Sequence, residues 1–257
     1  MSKILSINNL CFKVKETDLF KTKEKTILNN ISFEVNEGEI IGIAGESGSG
    51  KTTLAKLIAG VIKPTAGSIN FNLTNNSNSV QILFQNTGQI LNPFRKIEDI
   101  IEEAIKLRKD LPGNIESEKE RIFSSVNFQK KYWENIGSNL SGGQQQRAAL
   151  ARLLAVQPEL LILDEPFSAQ DFESKITLVE LSKNINKKFN VTLICISHDL
   201  NALRNLCERV IIIYKGKIVE IGKTNEILEN PTHPYTKYLI KAEKYDLNHS
   251  ELMERID

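Results

Sequence analysis

The chain has 257 residues, and its 33 Lys and Arg against 32 Asp and Glu leave a formal net charge of +1. That length allows one large domain or two small ones, and the balanced charge argues against a general nucleic-acid surface or an acidic tail. The three cysteines, Cys11, Cys195 and Cys207, lack metal-ligand spacing and favour a reducing cytosol. No signal peptide is predicted, and apolar runs such as 210–214 fall far short of the ~20 residues that span a membrane.

Short strands separated by turns are predicted in the first part of the chain. Residues 4–7 and 11–14 alternate between apolar and polar, and so does the second half of 27–35. The polar stretch 15–26 between them is predicted to be a solvated loop. A small antiparallel sheet is therefore expected ahead of the apolar strand 40–44.

Helical patterns replace strand patterns after residue 86. Helices are predicted at 97–109 and 116–128, and a third begins near Ser141 and stops before Pro158. We interpret 86–157 as a helical insertion.

Strands then alternate with helices toward the end of the chain. The predicted strands are 160–163, 191–196, 210–214 and 217–221, and the predicted helices are 172–189 and 200–207. This alternation predicts an α/β fold with a mainly parallel sheet covered on both faces. We expect a single domain over 1–257, with a nucleotide-binding core at 1–85 and 158–257 and a helical subdomain at 86–157.

A glycine-rich stretch between the strand 40–44 and a helix predicts a phosphate-binding loop. It reads G-x-x-x-x-G-K-[ST] and comprises Gly45, Glu46, Ser47, Gly48, Ser49, Gly50, Lys51 and Thr52, followed by Thr53. Its backbone N–H groups and the helix N-terminus attract phosphate. Lys51 adds a charge for the β- and γ-phosphates, and the Thr52 hydroxyl can ligate Mg²⁺. The pattern predicts binding of ATP or another nucleoside triphosphate.

Two carboxylates end the apolar strand 160–163. Asp164 is predicted to hold Mg²⁺, while Glu165 points differently and can polarise the attacking water. Ligands gather at this edge of an open α/β sheet. A strand that merely ends in a solvated acidic turn is the plain alternative.

The segment Asn139–Arg147 predicts a second anion site. Ser141 is a good N-cap, but Gly142 and Gly143 in the first turn sacrifice helix stability. Glycines there make sense if backbone must approach a ligand closely, as at other helix N-termini. The alternative is a capped helix that happens to carry glycines.

The phosphate loop, Leu140 to Gln144 and Asp164-Glu165 follow one another in this order along the chain. Together they resemble the ATP-binding subunit of an ABC transporter, and the resemblance covers nearly the whole chain. It implies a P-loop ATPase with an N-terminal antiparallel subdomain and a helical insert. Ser141, Gly142, Gly143 and Gln144 of one subunit would cover the ATP that a second subunit holds.

The resemblance also implies roles for isolated residues. Gln85 would sense Mg²⁺ and act in catalysis, and His198 would contact the γ-phosphate. Asp171 would belong to the loop that acts across the dimer, in which the family usually has leucine where Gln170 stands. The position of the family's adenine-stacking aromatic falls near Val14, so Phe12 or Phe20 could serve only in a shifted register.

Two further segments resemble oligopeptide, dipeptide and nickel importers. They are Ile90-Leu91-Asn92-Pro93 and the segment around His233-Pro234-Tyr235-Thr236. The resemblance implies import of a peptide, nickel or a metal–chelator complex. It also implies that the subunit is located at the cytoplasmic face of the cell membrane, as a peripheral protein. The expected partners are a paralogous ATPase or a second copy, two permease subunits and an extracellular solute-binding protein, with no nucleic acid.

Two other functions remain open at this point. A P-loop small-molecule kinase would have no use for the Ser141 segment. A non-transport ABC ATPase acting as a scaffold or regulator usually carries two ATPase units or a long coiled coil.

Overall fold

The computed structural model describes residues 2–18, 21–74, 78–85, 91–168 and 170–243. They belong to two compact units: the first comprises Met1–Asn72 and Ile194–Asp257, and the second comprises Leu73–Leu193. The strands are β1 (Lys3–Asp18), β2 (Lys21–Asn36), β3 (Ile40–Ala44), β4 (Ala66–Phe71), β5 (Val80–Leu83), β6 (Leu160–Asp164), β7 (Thr192–Ile196), β8 (Arg209–Tyr214) and β9 (Lys217–Lys223). The helices are α1 (Lys51–Ile58), α2 (Ile97–Lys106), α3 (Ile115–Ser125), α4 (Gly142–Ala155), α5 (Phe172–Phe189), α6 (Leu200–Leu206), α7 (Thr224–Glu229) and α8 (Pro234–Glu243).

An antiparallel sheet in the order β2-β1-β4 forms part of the first unit. The prediction of a loop at 15–26 is wrong, because β1 runs to Asp18 and β2 starts at Lys21. The backbone register places Lys15 opposite Glu24, and Lys13 Nζ lies 3.3 Å from Glu24 Oε2. Such cross-strand pairs stabilise a polar ribbon that composition alone assigns to a loop. Strand β4 was also not predicted.

A parallel pair of buried strands carries the phosphate loop of the first unit. Strand β3 pairs with β8 in parallel, and β9 pairs with β8 in the antiparallel sense. All five residues of β3 are buried. At the end of β7, the backbone N–H of Ser197 donates to the Ile43 carbonyl at 3.1 Å. The carboxyl ends of β3 and β7 therefore lie side by side.

The second unit contains a parallel strand pair and the predicted helices. Strands β5 and β6 pair from Val80↔Leu160 to Leu83↔Leu163. Helix α2 ends three residues before the predicted end at Lys109, and α3 ends at Ser125 rather than at Phe128. The core beneath these helices is aromatic, with the rings of Phe123 and Trp133 4.5 Å apart between centroids.

An ion-pair cluster ties α3 into this unit. Arg121 donates two hydrogen bonds to the Glu118 carboxylate at 2.8 and 2.7 Å, and Arg108 donates a third at 2.6 Å. The two Arg121 hydrogen bonds, with the one from Arg108, hold the pKa of Glu118 at about 2, below its ordinary 4.5. Arg121 also lies 4.6 Å from the centroid of the Phe189 ring of α5. Within the described residues, no helix is both long and apolar enough to cross a membrane.

Candidate nucleotide site

The phosphate loop takes backbone conformations that only glycine adopts easily. Gly45 has φ 151° and Gly50 has φ 106°. A Cβ on Gly45 would lie 2.2 Å from the Ile213 carbonyl oxygen, and one on Gly50 would lie 2.6 Å from Leu28 Cδ2. The contact with backbone therefore requires glycine at 45, and the positive φ favours it at both positions.

Lys51 is folded back over the loop. Only 7% of the residue is exposed, and Nζ donates to the carbonyls of Gly45 at 2.7 Å and Glu46 at 2.9 Å. Ser49 Oγ is buried and has no hydrogen-bond partner among the described residues. Helix α1 starts at Lys51, with Thr52 exposed in its first turn and Thr53 half-buried beside it. A buried cation, an orphan hydroxyl and a helix N-terminus together suit a bound polyphosphate.

His198 lies just after β7, next to a residue that is hydrogen-bonded to β3. The residue is exposed and lies between Ser197, which bonds Ile43, and Asp199. Asp199 N–H donates to Ser197 Oγ at 3.0 Å, and the Asp199 carboxylate caps α6 by accepting from Ala202 N–H at 2.8 Å. Because Ile43 is two residues before Gly45, this turn places His198 at the sheet edge from which the phosphate loop leaves.

A cleft of about 360 Å³ in the second unit gathers four regions that the sequence predicts to be functional. It is lined by Phe84, Gln85, Gly142, Gly143, Gln146, Glu165, Pro166, Ser168, Gln170, Asp171 and Ser174. The predicted residues Gln85, Glu165 and Asp171 thus line the same cleft as Gly142 and Gly143 at the start of α4. Residues 86–90, including Ile90 of the Ile-Leu-Asn-Pro segment, lie outside the described residues.

Glu165 has a strained backbone. Its φ is +53°, in the left-handed region. Ser168 holds the Glu165 carbonyl by donating from N–H at 3.3 Å and from Oγ at 2.9 Å. A non-glycine residue in this region costs on the order of 1 kcal/mol, and such strain clusters at functional sites. Glu165 is half-buried and lines the cleft, whereas its neighbour Asp164, at the end of β6, is 3% exposed.

The Ser141 segment forms a complete capping box. Ser141 Oγ accepts from Gln144 N–H at 3.4 Å, and Gln144 Oε1 accepts from Ser141 N–H at 2.9 Å. The predicted N-cap is therefore confirmed. A Cβ built on Gly142 or Gly143 would meet nothing within 4 Å among the described residues. The fold of the unit does not itself demand these glycines, although glycine destabilises a helix by about 1 kcal/mol relative to alanine.

Asp171 caps α5 and stays ionised. Its carboxylate accepts from Ser174 N–H at 2.7 Å, and this backbone hydrogen bond lowers the pKa of Asp171. The neighbouring Gln170, in the position where leucine is expected, donates from Nε2 to Gln146 Oε1 at 2.6 Å. Gln146 in turn donates from Nε2 to the Pro166 carbonyl at 2.9 Å. Sequence reasoning missed Gln146, whose helix position alone predicts only a polar surface residue.

The candidate Mg²⁺ ligands are three oxygen donors: Thr52 in α1, Gln85 after β5 and Asp164 at the end of β6. No group of three or more His, Cys, Asp or Glu suited to a metal ion occurs in the part of the chain that the structure describes. Mg²⁺ does not need such a group, because it commonly takes one or two protein oxygens with phosphates and water. The Thr52 hydroxyl, the Gln85 amide and the Asp164 carboxylate have the hard-ligand chemistry that this ion requires.

The adenine contact stays a prediction. Val14 and Phe12 are both half-buried in β1, where register shifts flank Phe12. Phe20 lies outside the described residues.

The buried strand, glycine-rich loop, inward lysine and helix start define a P-loop nucleotide-binding protein. The ABC transporter family model matches residues 28–168, and the model for the oligopeptide/dipeptide transporter C-terminal region matches residues 219–251. The chain belongs to the ABC transporter family.

Two curated relatives are similar to this chain over most of its length. The dipeptide transport ATP-binding protein DppF of Haemophilus influenzae is 32% identical over 243 residues, covering 90% of this chain and 74% of the relative. The oligopeptide transport ATP-binding protein OppF of Bacillus subtilis is 34% identical over 243 residues, covering 87% of this chain and 78% of the relative.

Solved structures confirm the predicted fold class. The dimeric ATP-binding cassette MJ0796 in a post-hydrolysis state, bound to ADP and Pi, superposes with a TM-score of 0.74 at 25% identity, covering 86% of this chain and 99% of that one. The cbiO1 protein from Clostridium perfringens, part of the ABC transporter complex cbiONQ, gives a TM-score of 0.76 at 23% identity with 100% of both chains covered. The chain is an ABC-type ATPase with the α/β cassette fold, and an ATP-binding subunit of an ABC transporter.

Proposed function

We propose that this subunit hydrolyses ATP to power the import of oligopeptides or dipeptides. The observation that carries the proposal is the match of two family models to one chain, the ATPase model at 28–168 and the peptide-transporter C-terminal model at 219–251. The named relatives are transport or import ATP-binding proteins for peptides.

The ATP site is proposed to be shared between two subunits of a single-domain ATPase. A Cβ on Gly142 or Gly143 would meet none of the described residues within 4 Å, which supports an approach by a nucleotide that another subunit holds. Ser141 and Gln144 would present this helix start, and Asp171 would contact the partner. The similar MJ0796 cassette is dimeric, which supports pairing of two subunits.

Each candidate residue has a proposed chemical role. Lys51 neutralises the β- and γ-phosphates, and the loop N–H groups orient them. Glu165 accepts a proton from the attacking water, and His198 donates a hydrogen bond to the γ-phosphate. When bound through Thr52, Asp164 and Gln85, Mg²⁺ would supply charge neutralisation on the phosphate oxygens.

The proposed partners follow from transport. They are a paralogous ATPase or a second copy of this chain, two permease subunits and an extracellular solute-binding protein. The subunit would then work at the cytoplasmic face of the membrane.

Uptake by cells tests the cargo. A strain lacking this gene is complemented with wild type or with Lys51→Ala, and uptake of a labelled dipeptide, a labelled hexapeptide and radioactive nickel is measured. Restored peptide uptake with wild type alone supports the proposal. Restored nickel uptake without peptide uptake would assign the metal cargo instead, and no change in any uptake would favour a regulatory ATPase.

A further inference from the structure

The hydroxyl of a buried tyrosine contacts the phosphate loop. Tyr235, in the first turn of α8, is 1% exposed. Its Oη accepts a hydrogen bond from the Glu46 backbone N–H at 2.8 Å. Its ring stacks on Tyr214 with centroids 4.0 Å apart and an interplanar angle of 25°. Both rings and the loop belong to the first unit, so Tyr235 forms part of the loop's own support.

The residues before Tyr235 fix its position. The Glu220 carboxylate of β9 accepts from both the backbone N–H and the hydroxyl of Thr232. His233 Nδ1 accepts from Tyr235 N–H at 3.1 Å and so caps α8, while Pro234 is the first helical residue. Proline suits that position because its missing N–H would have no intrahelical partner. Each residue of the Thr-His-Pro-Tyr run therefore has a separate role in presenting one hydroxyl.

The Tyr235 hydroxyl fixes the direction of the Glu46 N–H. Glu46 directly follows Gly45 and lies in the loop that leads into α1. If the peptide groups of this loop could rotate, the loop could present different N–H groups to the phosphates. Pairing Glu46 N–H with Tyr235 fixes one peptide plane and reduces the ordering that nucleotide binding must impose. Burial raises the pKa of Tyr235 to about 12, so the hydroxyl stays neutral beside the anion at physiological pH.

We infer that Tyr235 is a positioning residue for nucleotide binding, through which the Thr232–Tyr235 segment holds the phosphate loop ready for the triphosphate. The segment lies inside the C-terminal region that matches peptide transporters at 219–251. That region would then support nucleotide binding, whichever solute the transporter carries. The inference concerns ATP affinity and does not depend on peptide import.

The test compares two tyrosine-to-phenylalanine variants on one helix. Tyr235→Phe keeps the ring and removes the hydroxyl, whereas Tyr238→Phe removes the hydroxyl of a half-buried tyrosine one turn later. ATP and ADP affinities of the purified subunit are measured by calorimetry, with steady-state KM and kcat and the thermal midpoint. Ordering the freed Glu46 peptide when nucleotide binds predicts about tenfold weaker ATP binding for Tyr235→Phe. KM should rise in step while kcat changes little, and Tyr238→Phe should match wild type. The lost hydrogen bond should lower the thermal midpoint of Tyr235→Phe by a few degrees, so the variant stays folded in the binding assay.

Amide hydrogen exchange in the nucleotide-free protein gives a readout independent of activity. The Glu46 amide should exchange at least about tenfold faster in Tyr235→Phe, with amides in β3 unchanged. Thr232→Ala, which removes an anchor remote from the loop, should shift both affinity and exchange in the same direction by less. Unchanged ATP affinity and unchanged Glu46 exchange in Tyr235→Phe would overturn the inference, as would equal losses in Tyr238→Phe. Neither result would bear on peptide uptake.

Discussion

Replacing Gln170 by leucine should destabilise this protein, although leucine is the residue that the family usually carries there. Gln170 Nε2 donates to Gln146 Oε1 at 2.6 Å, and Gln146 is 6% exposed. The Gln146 side chain is held at its other end by its bond to the Pro166 carbonyl at 2.9 Å, so it cannot turn freely to find another donor. Gln170→Leu therefore leaves a largely buried amide oxygen without this donor.

The magnitude follows from the cost of an unpaired buried acceptor, which is about 1–3 kcal/mol. Because Gln146 also lines the open cleft, water can reach part of the site, and we expect the lower end, about 1 kcal/mol. Gln146→Met removes the same bond from the other side. The coupling energy between the two substitutions should therefore be about 1 kcal/mol.

Urea unfolding of wild type, Gln170→Leu, Gln146→Met and the double variant measures these quantities. The matched control is Glu173→Gln, since Glu173 is exposed in the first turn of α5, three residues after Gln170. The m-value should stay constant across the set. Strict additivity of the two substitutions, or a Gln170→Leu variant as stable as wild type, would refute the reasoning.

Three other expectations concern the site and the fold. Glu165→Gln should retain ATP affinity within about threefold but lose at least ~100-fold in turnover. It should accumulate as an ATP-bound dimer, and hydrolysis rates and light scattering measure the two effects. Turnover near wild type would remove Glu165 from catalysis. Ser141→Arg should leave ATP binding to the monomer intact and abolish ATP-dependent dimerisation, whereas collapse of monomer affinity would place this segment in its own subunit's site. The low pKa of Glu118, about 2 against 4.5, stabilises the fold above pH 4.5, and that stability is lost as pH falls toward 2. The gap in unfolding free energy between wild type and Glu118→Gln should thus shrink by about 1–3 kcal/mol from pH 6 to pH 3, and an equal gap at both pH values would contradict the ion-pair account.

Local patterns were enough to predict the motifs and most helices. Helix α5 begins at Phe172 and ends at Phe189, as predicted, because Asp171 caps its start and Asn190 takes the left-handed conformation at its end. The phosphate loop was recognisable because its glycines, lysine and threonine act at fixed spacing within eight residues. Such signals are local, so the sequence displays them directly.

Polar strands and the C-terminal helix were harder to predict. The stretch 15–26 has loop-like composition, and only its pairing across the hairpin makes it strand. The X-Pro steps near residue 234 disfavour helix before each proline, yet Pro234 opens α8 because proline is acceptable at a first helical position.

Only the tertiary structure decided how the motif residues are supported. Tyr235 reaches Glu46 across 189 residues of chain, and Gln170 reaches Gln146 across 24. The left-handed conformation of Glu165 depends on a turn that Ser168 holds. A tyrosine, a glutamine and a glutamate have no local pattern that marks these roles. Each role arises because packing buries a polar group and then requires a partner from whichever segment the fold brings near.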